Sequence, residues 1–79
     1  MASSSDQIRT VFMEVLNLPA DADFENLAYQ THGWDSVAHM TLVAGLERTF
    51  DVMLSTEDVI DMSSYAKARE ILSNNGVAF

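Results

Sequence analysis

The feature of this 79-residue sequence that most constrains its fold is the helical spacing of its apolar residues. Near the N-terminus they recur at steps of three and four, at Ile8, Val11, Phe12, Val15 and Leu16. That spacing places them on one face of an α-helix. No segment of the sequence makes a convincing strand, because none combines alternating apolar residues with flanking turn residues. The sequence therefore predicts an all-α protein.

The first helix has predictable ends, and a long connection follows it. Ser4 and Gln7 have the spacing of a capping box, and Asn17 and Pro19 end the helix. Residues 17–34 then form a first loop, with room for a single helical turn. A loop this long is unusual unless it is functional. We expect three apolar residues to anchor it to the core: Phe24, Leu27 and Tyr29.

The second helix is predicted over residues 36–50, with the carboxylate of Asp35 as its N-cap. Gly45 lies in its middle, which is tolerable if another element packs closely against it. The predicted apolar face consists of Val37, Met40, Val43 or Ala44, Leu46 and Phe50.

Two further helices follow in the sequence. The segment "STEDVIDM" predicts a short third helix capped by Ser55, with acidic residues in its first turn. The segment "SSYAKAREILSNNG" predicts a fourth, which Asn75 and Gly76 end. Its apolar face consists of Tyr65, Ala68, Ile71 and Leu72. Residues 1–79 are thus predicted to form one domain, a small four-helix bundle with a long first loop and a short third helix.

Charge and composition exclude several classes of protein. Twelve acidic against four basic residues give a formal net charge of −8, so a nucleic-acid binder is not expected. The absence of cysteine removes disulfides, thiolate metal sites and cysteine nucleophiles. No apolar run approaches the ~20 residues of a membrane helix, and the N-terminus lacks the layout of a signal peptide. We therefore expect no membrane insertion and a cytoplasmic location.

The chain contains the residue types of a hydrolase triad, but not their arrangement. Asp35 and Ser36 are adjacent at a helix start, where their side chains diverge, and His39 lies one turn further on. In a triad the base must contact the serine while the acid orients the base from its far side. A chain of this size also has little room for a substrate pocket. We expect no enzymatic activity.

A metal site is not expected either. In residues 21–25 a carboxylate side chain occurs at every second position, as at the start of a calcium-binding EF-hand loop. Such a loop needs glycine at its sixth position and glutamate at its twelfth, and here those positions hold Asn26 and His32.

Ser36 is left as a candidate attachment point. A serine in the first turn of a helix has an exposed hydroxyl, and the positive end of the helix dipole would stabilise a phosphate ester there. By itself, however, a serine at a helix start is most often only a cap.

The segment "GWDSVAHMTLVAGLERTFDVML" resembles the core signature of the acyl carrier protein family, the phosphopantetheine-binding domains. The resemblance extends more weakly over the whole chain, in element order and loop lengths. It implies a four-helix fold of acyl-carrier type and a 4′-phosphopantetheine arm esterified to Ser36. The matching residues are Gly33, Asp35, Ser36, Val37, Leu42, Leu46, Glu47, Phe50 and the exit "FDVML".

The resemblance also implies a function and a set of partners. The protein would carry acyl intermediates as thioesters on the arm and present them to other enzymes, without being an enzyme itself. Its partners would be a phosphopantetheinyl transferase, an acyl- or aminoacyl-loading ligase and acyltransferases, and we expect a monomer. Two alternatives remain: an aminoacyl or peptidyl carrier with the same arm, and an unmodified helical interaction module in which Ser36 is only a cap.

The second helix departs from the family in its charge. Carriers of bacterial fatty-acid synthesis usually show several acidic residues after the serine, whereas here Glu47 and Arg48 are the only charged residues between Ser36 and Phe50. We therefore predict a carrier of a specialised pathway, which its partners recognise by apolar contacts on the second helix and charge steering on the third. Trp34 is expected to pack over the loop or to contact the arm or a partner. The predicted recognition residues are Trp34, Asp35, Val37, Met40, Ala44, Glu47, Glu57, Asp58 and Asp61.

Overall fold

The computed structural model describes residues 3–79 and confirms the all-α fold. Within these residues the β structure is limited to one isolated bridge, between Ala28 and Ser64. The helices are α1 (Ser4–Leu16), α2 (Ser36–Phe50), α3 (Thr56–Asp61) and α4 (Tyr65–Asn74), and the long first loop contains a 3₁₀ turn, Phe24–Asn26.

The start of α1 corrects the predicted cap by one residue. Ser3, not Ser4, is the N-cap, and its hydroxyl accepts a hydrogen bond from the Asp6 N–H at 3.1 Å. The Gln7 N–H donates to the Ser3 carbonyl at 2.9 Å, so the hydrogen-bond ladder already begins at Ser3. Three successive serines offered equivalent caps, and only the backbone geometry distinguishes them.

The other helix ends follow the sequence pattern. Asp35 caps α2 and Ser55 caps α3, as predicted, while Ser64 caps α4. Asn17 and Asp51 end α1 and α2 in the left-handed conformation, each with φ of 54°. This conformation lets the backbone N–H beyond the helix bond back to an unpaired carbonyl.

The core lies mainly between α1, α2 and α4, with part of the first loop. Phe12 of α1 is its centre, and its ring meets Trp34 edge-on at 5.3 Å and Tyr65 at 5.1 Å. Over residues 3–79 the buried side chains all belong to hydrophobic residues, of which Trp34 and Tyr65 each carry one polar group. The buried hydrophobic residues are Ile8, Val11, Phe12, Leu16, Phe24, Leu27, Trp34, Leu42, Val43, Leu46, Leu54, Met62, Tyr65, Ala68, Ile71 and Leu72.

The predicted apolar face of α2 is partly wrong. Leu42, Val43 and Leu46 are buried, but Val37 is 77% exposed and Met40 59% exposed. The helix carries apolar residues around most of its circumference, so spacing alone does not select the side that faces the core. The exposed face therefore keeps apolar side chains at i and i+3.

The first loop is fixed at its distal end to the connection between α3 and α4. The Tyr29 N–H donates to the Ser63 carbonyl at 2.9 Å, and the Tyr65 N–H donates to the Leu27 carbonyl at 3.0 Å. Leu27 is buried and Tyr29 is half-buried, so the expected anchoring of this loop is confirmed. In the described part of the chain, no helix has the length and apolar character needed to cross a membrane.

Gly45 lies where α1 packs closely against α2. A Cβ atom at this position would lie 3.0 Å from Val11 Cγ1, so the glycine permits close contact between the two helices. The expectation that another element packs against Gly45 is confirmed.

We predict that Gly45→Leu destabilises the fold by about 1–3 kcal/mol, because the larger side chain forces α1 and α2 apart. The matched control is Ala44→Leu, which adds a leucine at the neighbouring exposed position and should change stability by no more than about 0.5 kcal/mol. Urea unfolding of both variants measures the difference. Equal stabilities of the two variants would contradict the packing described here.

Candidate functional site

Ser36 is the first residue of α2, and its side chain is exposed. The preceding carboxylate performs the capping, since Asp35 Oδ1 accepts from the Ala38 N–H at 2.8 Å. The Ser36 hydroxyl is therefore not needed to cap the helix. It lies at the helix end where the first backbone N–H groups have no intrahelical acceptor.

The Ser36 hydroxyl has one side-chain neighbour that sequence reasoning missed. Tyr29 Oη lies 2.9 Å from Ser36 Oγ, and either oxygen can be the donor. The sequence assigned Tyr29 only to anchoring the loop. Six residues of irregular chain separate it from Ser36, and no spacing rule predicts a contact across such a segment.

Tyr29 belongs to an aromatic cluster that we define as Tyr29, Trp34 and His39. The Tyr29 ring meets Trp34 edge-on at 6.3 Å and His39 edge-on at 5.6 Å. Trp34 and His39 stack with an interplanar angle of 21°. The cluster therefore joins the end of the first loop to the first turns of α2.

Hydrogen bonds determine the tautomer of His39. Trp34 Nε1 can only donate, and it lies 3.1 Å from His39 Nδ1, which must therefore accept. The other ring nitrogen, Nε2, then carries the proton and donates to the Val59 carbonyl at 2.7 Å. His39 thus links the buried Trp34 to α3.

The catalytic arrangement that the sequence argued against does not form. Both His39 nitrogens are occupied by Trp34 and Val59, so neither approaches the Ser36 hydroxyl as a base. The Asp35 carboxylate caps α2 instead of orienting His39. The residues that the structure describes also contain no group of three side chains able to hold a metal ion.

Most of the predicted recognition residues lie at the surface. Val37, Met40 and Ala44 are exposed on one face of α2, at i, i+3 and i+7. On α3, Glu57 and Asp61 are exposed and Asp58 is half-buried, within hydrogen-bond reach of Asn75 Nδ2 at 3.3 Å. Asp35 is exposed, although its carboxylate is engaged with the helix backbone.

Two of the predicted recognition residues have structural roles. Trp34 is 0% exposed, which corrects the expectation that it contacts a partner or the arm, because it has no surface to offer. Glu47 is half-buried, and its Oε2 accepts from the Leu54 N–H at 2.9 Å, which fixes the chain between α2 and α3.

Sequence reasoning also missed an exposed apolar residue on α3. Ile60 is 74% exposed. The residue before it, Val59, accepts a hydrogen bond from His39 through its carbonyl. The bond between His39 and Val59 joins α2 to α3. Met40 directly follows His39 and Ile60 directly follows Val59, so both exposed side chains are next to the residues that connect the two helices. Because α3 is short and contains three acidic residues, the sequence gave no reason to consider Ile60 as a contact residue.

A scan against protein-family models matches residues 6–71 to the phosphopantetheine attachment site family. The match covers more than half of the chain, and the protein belongs to this family of phosphopantetheine-carrying domains. Members carry a 4′-phosphopantetheine group covalently attached to a serine, and this is the cofactor of the present chain. Searches of curated proteins and of solved structures found no match.

The residues around Ser36 fit such a group. The first turn of α2 lies wholly within the described residues and contains no acidic side chain. The N-terminal end of the helix favours a phosphate. The Ser36 hydroxyl is exposed and free of the capping role. When bound, the group supplies a thiol, which this chain without cysteine does not itself contain.

We predict that His39→Asn destabilises the fold by about 1–3 kcal/mol. The shorter side chain leaves the Trp34 indole N–H and the Val59 carbonyl without their partners. His32→Asn is the control, because His32 is exposed and its positive φ of 53° suits asparagine. Thermal unfolding measures both, and a His39→Asn variant as stable as His32→Asn would exclude the bridging role of His39.

Proposed function

We propose that this protein is an acyl carrier protein whose arm is attached to Ser36 Oγ. The observation that carries the proposal is the exposed Ser36 hydroxyl at the start of α2, beside an aspartate that already caps the helix. A serine relieved of capping is available for modification. Membership of the family identifies the attached group as phosphopantetheine, and the geometry supports Ser36 as the attachment residue.

The role of the chain in carriage is to present the arm and not to perform chemistry on the cargo. The N-terminus of α2 stabilises the phosphate at the root of the arm through its free N–H groups. The buried Trp34 behind Ser36 holds this end of the helix in place. Partner enzymes then act on the thioester at the distal tip.

Recognition is proposed to use an α2–α3 patch, which we define as Val37, Met40, Ala44 and Ile60. All four are exposed, and the His39 bond to Val59 holds their two helices together. The acids of α3, a helix without a basic residue, lie alongside and steer basic partner surfaces towards the patch. A small patch of this kind suits binding that must be weak enough to release the carrier.

A specialised pathway is proposed instead of housekeeping fatty-acid synthesis. The charged residues of α2 are one glutamate and one arginine, and Glu47 is turned towards Leu54. Partners that approach α2 therefore meet an almost uncharged, apolar surface. Such partners would select this carrier by shape and apolar contact more than by charge.

An aminoacyl or peptidyl carrier is the second candidate, and the same uncharged face of α2 supports it. Cargo choice lies in the partners, so a loading assay separates the two. The holo protein is incubated with ATP, the ligases encoded beside it and either carboxylic acids or amino acids. Thioester formation with amino acids alone would replace the acyl proposal with the aminoacyl one.

We predict that a phosphopantetheinyl transferase with coenzyme A adds the mass of one arm to the wild-type protein, and none to Ser36→Ala. Circular dichroism should show the variant folded, because Asp35 still caps α2. The control is Ser73→Ala, which alters another exposed helical serine and should be modified like wild type. Absence of mass gain in wild type would favour the unmodified interaction module.

We also predict that Met40→Ser raises the KM of the protein as a transferase substrate by about threefold to tenfold, because an exposed apolar contact is lost. The matched control is Met53→Ser, since Met53 is 88% exposed but lies beyond the opposite end of α2 from Ser36. It should change KM less than twofold. Equal effects of the two substitutions would exclude the α2–α3 patch as the docking surface.

A further inference from the structure

The Tyr29 side chain is held from several sides. Its backbone N–H is bonded to the Ser63 carbonyl at 2.9 Å, which fixes the base of the residue against the α3–α4 connection. Its ring packs edge-on against both Trp34 and His39. Trp34 is buried, and His39 is bonded to it and to α3. The position of the Tyr29 hydroxyl is therefore determined by a rigid frame.

This fixed hydroxyl is hydrogen-bonded to the hydroxyl of Ser36, an exposed residue. A serine side chain populates three staggered rotamers when nothing constrains it. Ser36 is exposed and does not cap its helix, so packing and capping leave its side chain free to rotate. The bond to Tyr29 Oη, at 2.9 Å, is what favours one of the three orientations.

We propose that Tyr29 is a positioning residue for attachment of the arm, holding Ser36 Oγ in the orientation in which it is modified. This inference rests on the proposed function, namely that Ser36 is the attachment residue. In the transfer an Oγ–P bond forms and the P–O bond to the adenosine 3′,5′-bisphosphate half of coenzyme A breaks. The proton of the Ser36 hydroxyl passes to a base of the transferase.

Attachment fixes the direction of the hydrogen bond between Tyr29 and Ser36. Before transfer either hydroxyl can donate, since both carry a proton. After transfer Ser36 Oγ is an ester oxygen without a proton, so in any bond between the two Tyr29 donates. The same residue thus serves the unmodified and the modified protein without a rearrangement of the aromatic cluster.

The test compares two variants that each remove one tyrosine hydroxyl. Tyr29→Phe keeps the ring in the aromatic cluster and removes only the bond to Ser36. Tyr65→Phe is the matched control, because the Tyr65 hydroxyl is buried and has no hydrogen-bond partner among residues 3–79. Two quantities are measured for each unmodified protein: transfer kinetics with coenzyme A and a phosphopantetheinyl transferase, and the Ser36 χ1 populations from three-bond Hα–Hβ couplings.

For Tyr29→Phe, kcat should fall about threefold to tenfold with KM changed less than twofold, because an ordinary hydrogen bond biases an orientation by such a factor. The Ser36 couplings should change from those of one rotamer to a rotamer average. Tyr65→Phe should match wild type in both measurements. Thermal unfolding reports that each variant is folded.

Either a wild-type kcat for Tyr29→Phe or an unchanged single Ser36 rotamer overturns the positioning role, while arm attachment to wild type still supports the proposed function. If wild type itself accepts no arm under these conditions, the proposed function fails and this inference fails with it. The two failures are therefore distinguished by the wild-type reaction.

Discussion

The burial of Trp34 is the constraint on which the rest of the site depends. The indole has no exposed surface and packs edge-on against Phe12 of α1. Its one polar atom donates to His39, which in turn donates to α3. With the preceding residue fixed in the core, Asp35 and Ser36 are directed to the surface at the start of α2. Burial of a large apolar side chain thus determines where the Ser36 hydroxyl, the proposed attachment point, reaches the surface.

This arrangement suits a protein that is handled by several enzymes in turn. The Ser36 hydroxyl, the proposed attachment point, lies at the start of a helix and not on the long first loop. The surface of α2 and α3 combines exposed apolar residues with the carboxylates of α3, such as Glu57 and Asp61. In the proposed function, long-range charge attraction would bring partners together, and a small apolar contact would let them separate again. A carrier needs both properties, because each partner must release it.

Local features of the fold were predictable from the sequence, whereas most of the specific long-range contacts were not. Helix spans and the caps Asp35 and Ser55 follow from short-range rules of periodicity and capping. The inward face of α2 does not follow from these rules. Apolar residues occur around most of its circumference, and the packing against α1 determines which of them are buried. The hydrogen bond of Tyr29 to Ser36 depends on the path of an irregular loop. That path includes left-handed backbone at Gln30 and His32, which no local pattern indicated.

The central claim is that Ser36 carries the phosphopantetheine arm, and locating the arm within the chain tests it most directly. The protein would be incubated with coenzyme A and a phosphopantetheinyl transferase, digested, and fragmented by tandem mass spectrometry. Our account predicts that the fragment ions assign the arm to Ser36 alone. Assignment of the arm to any other serine, or a fully unmodified chain, would contradict it.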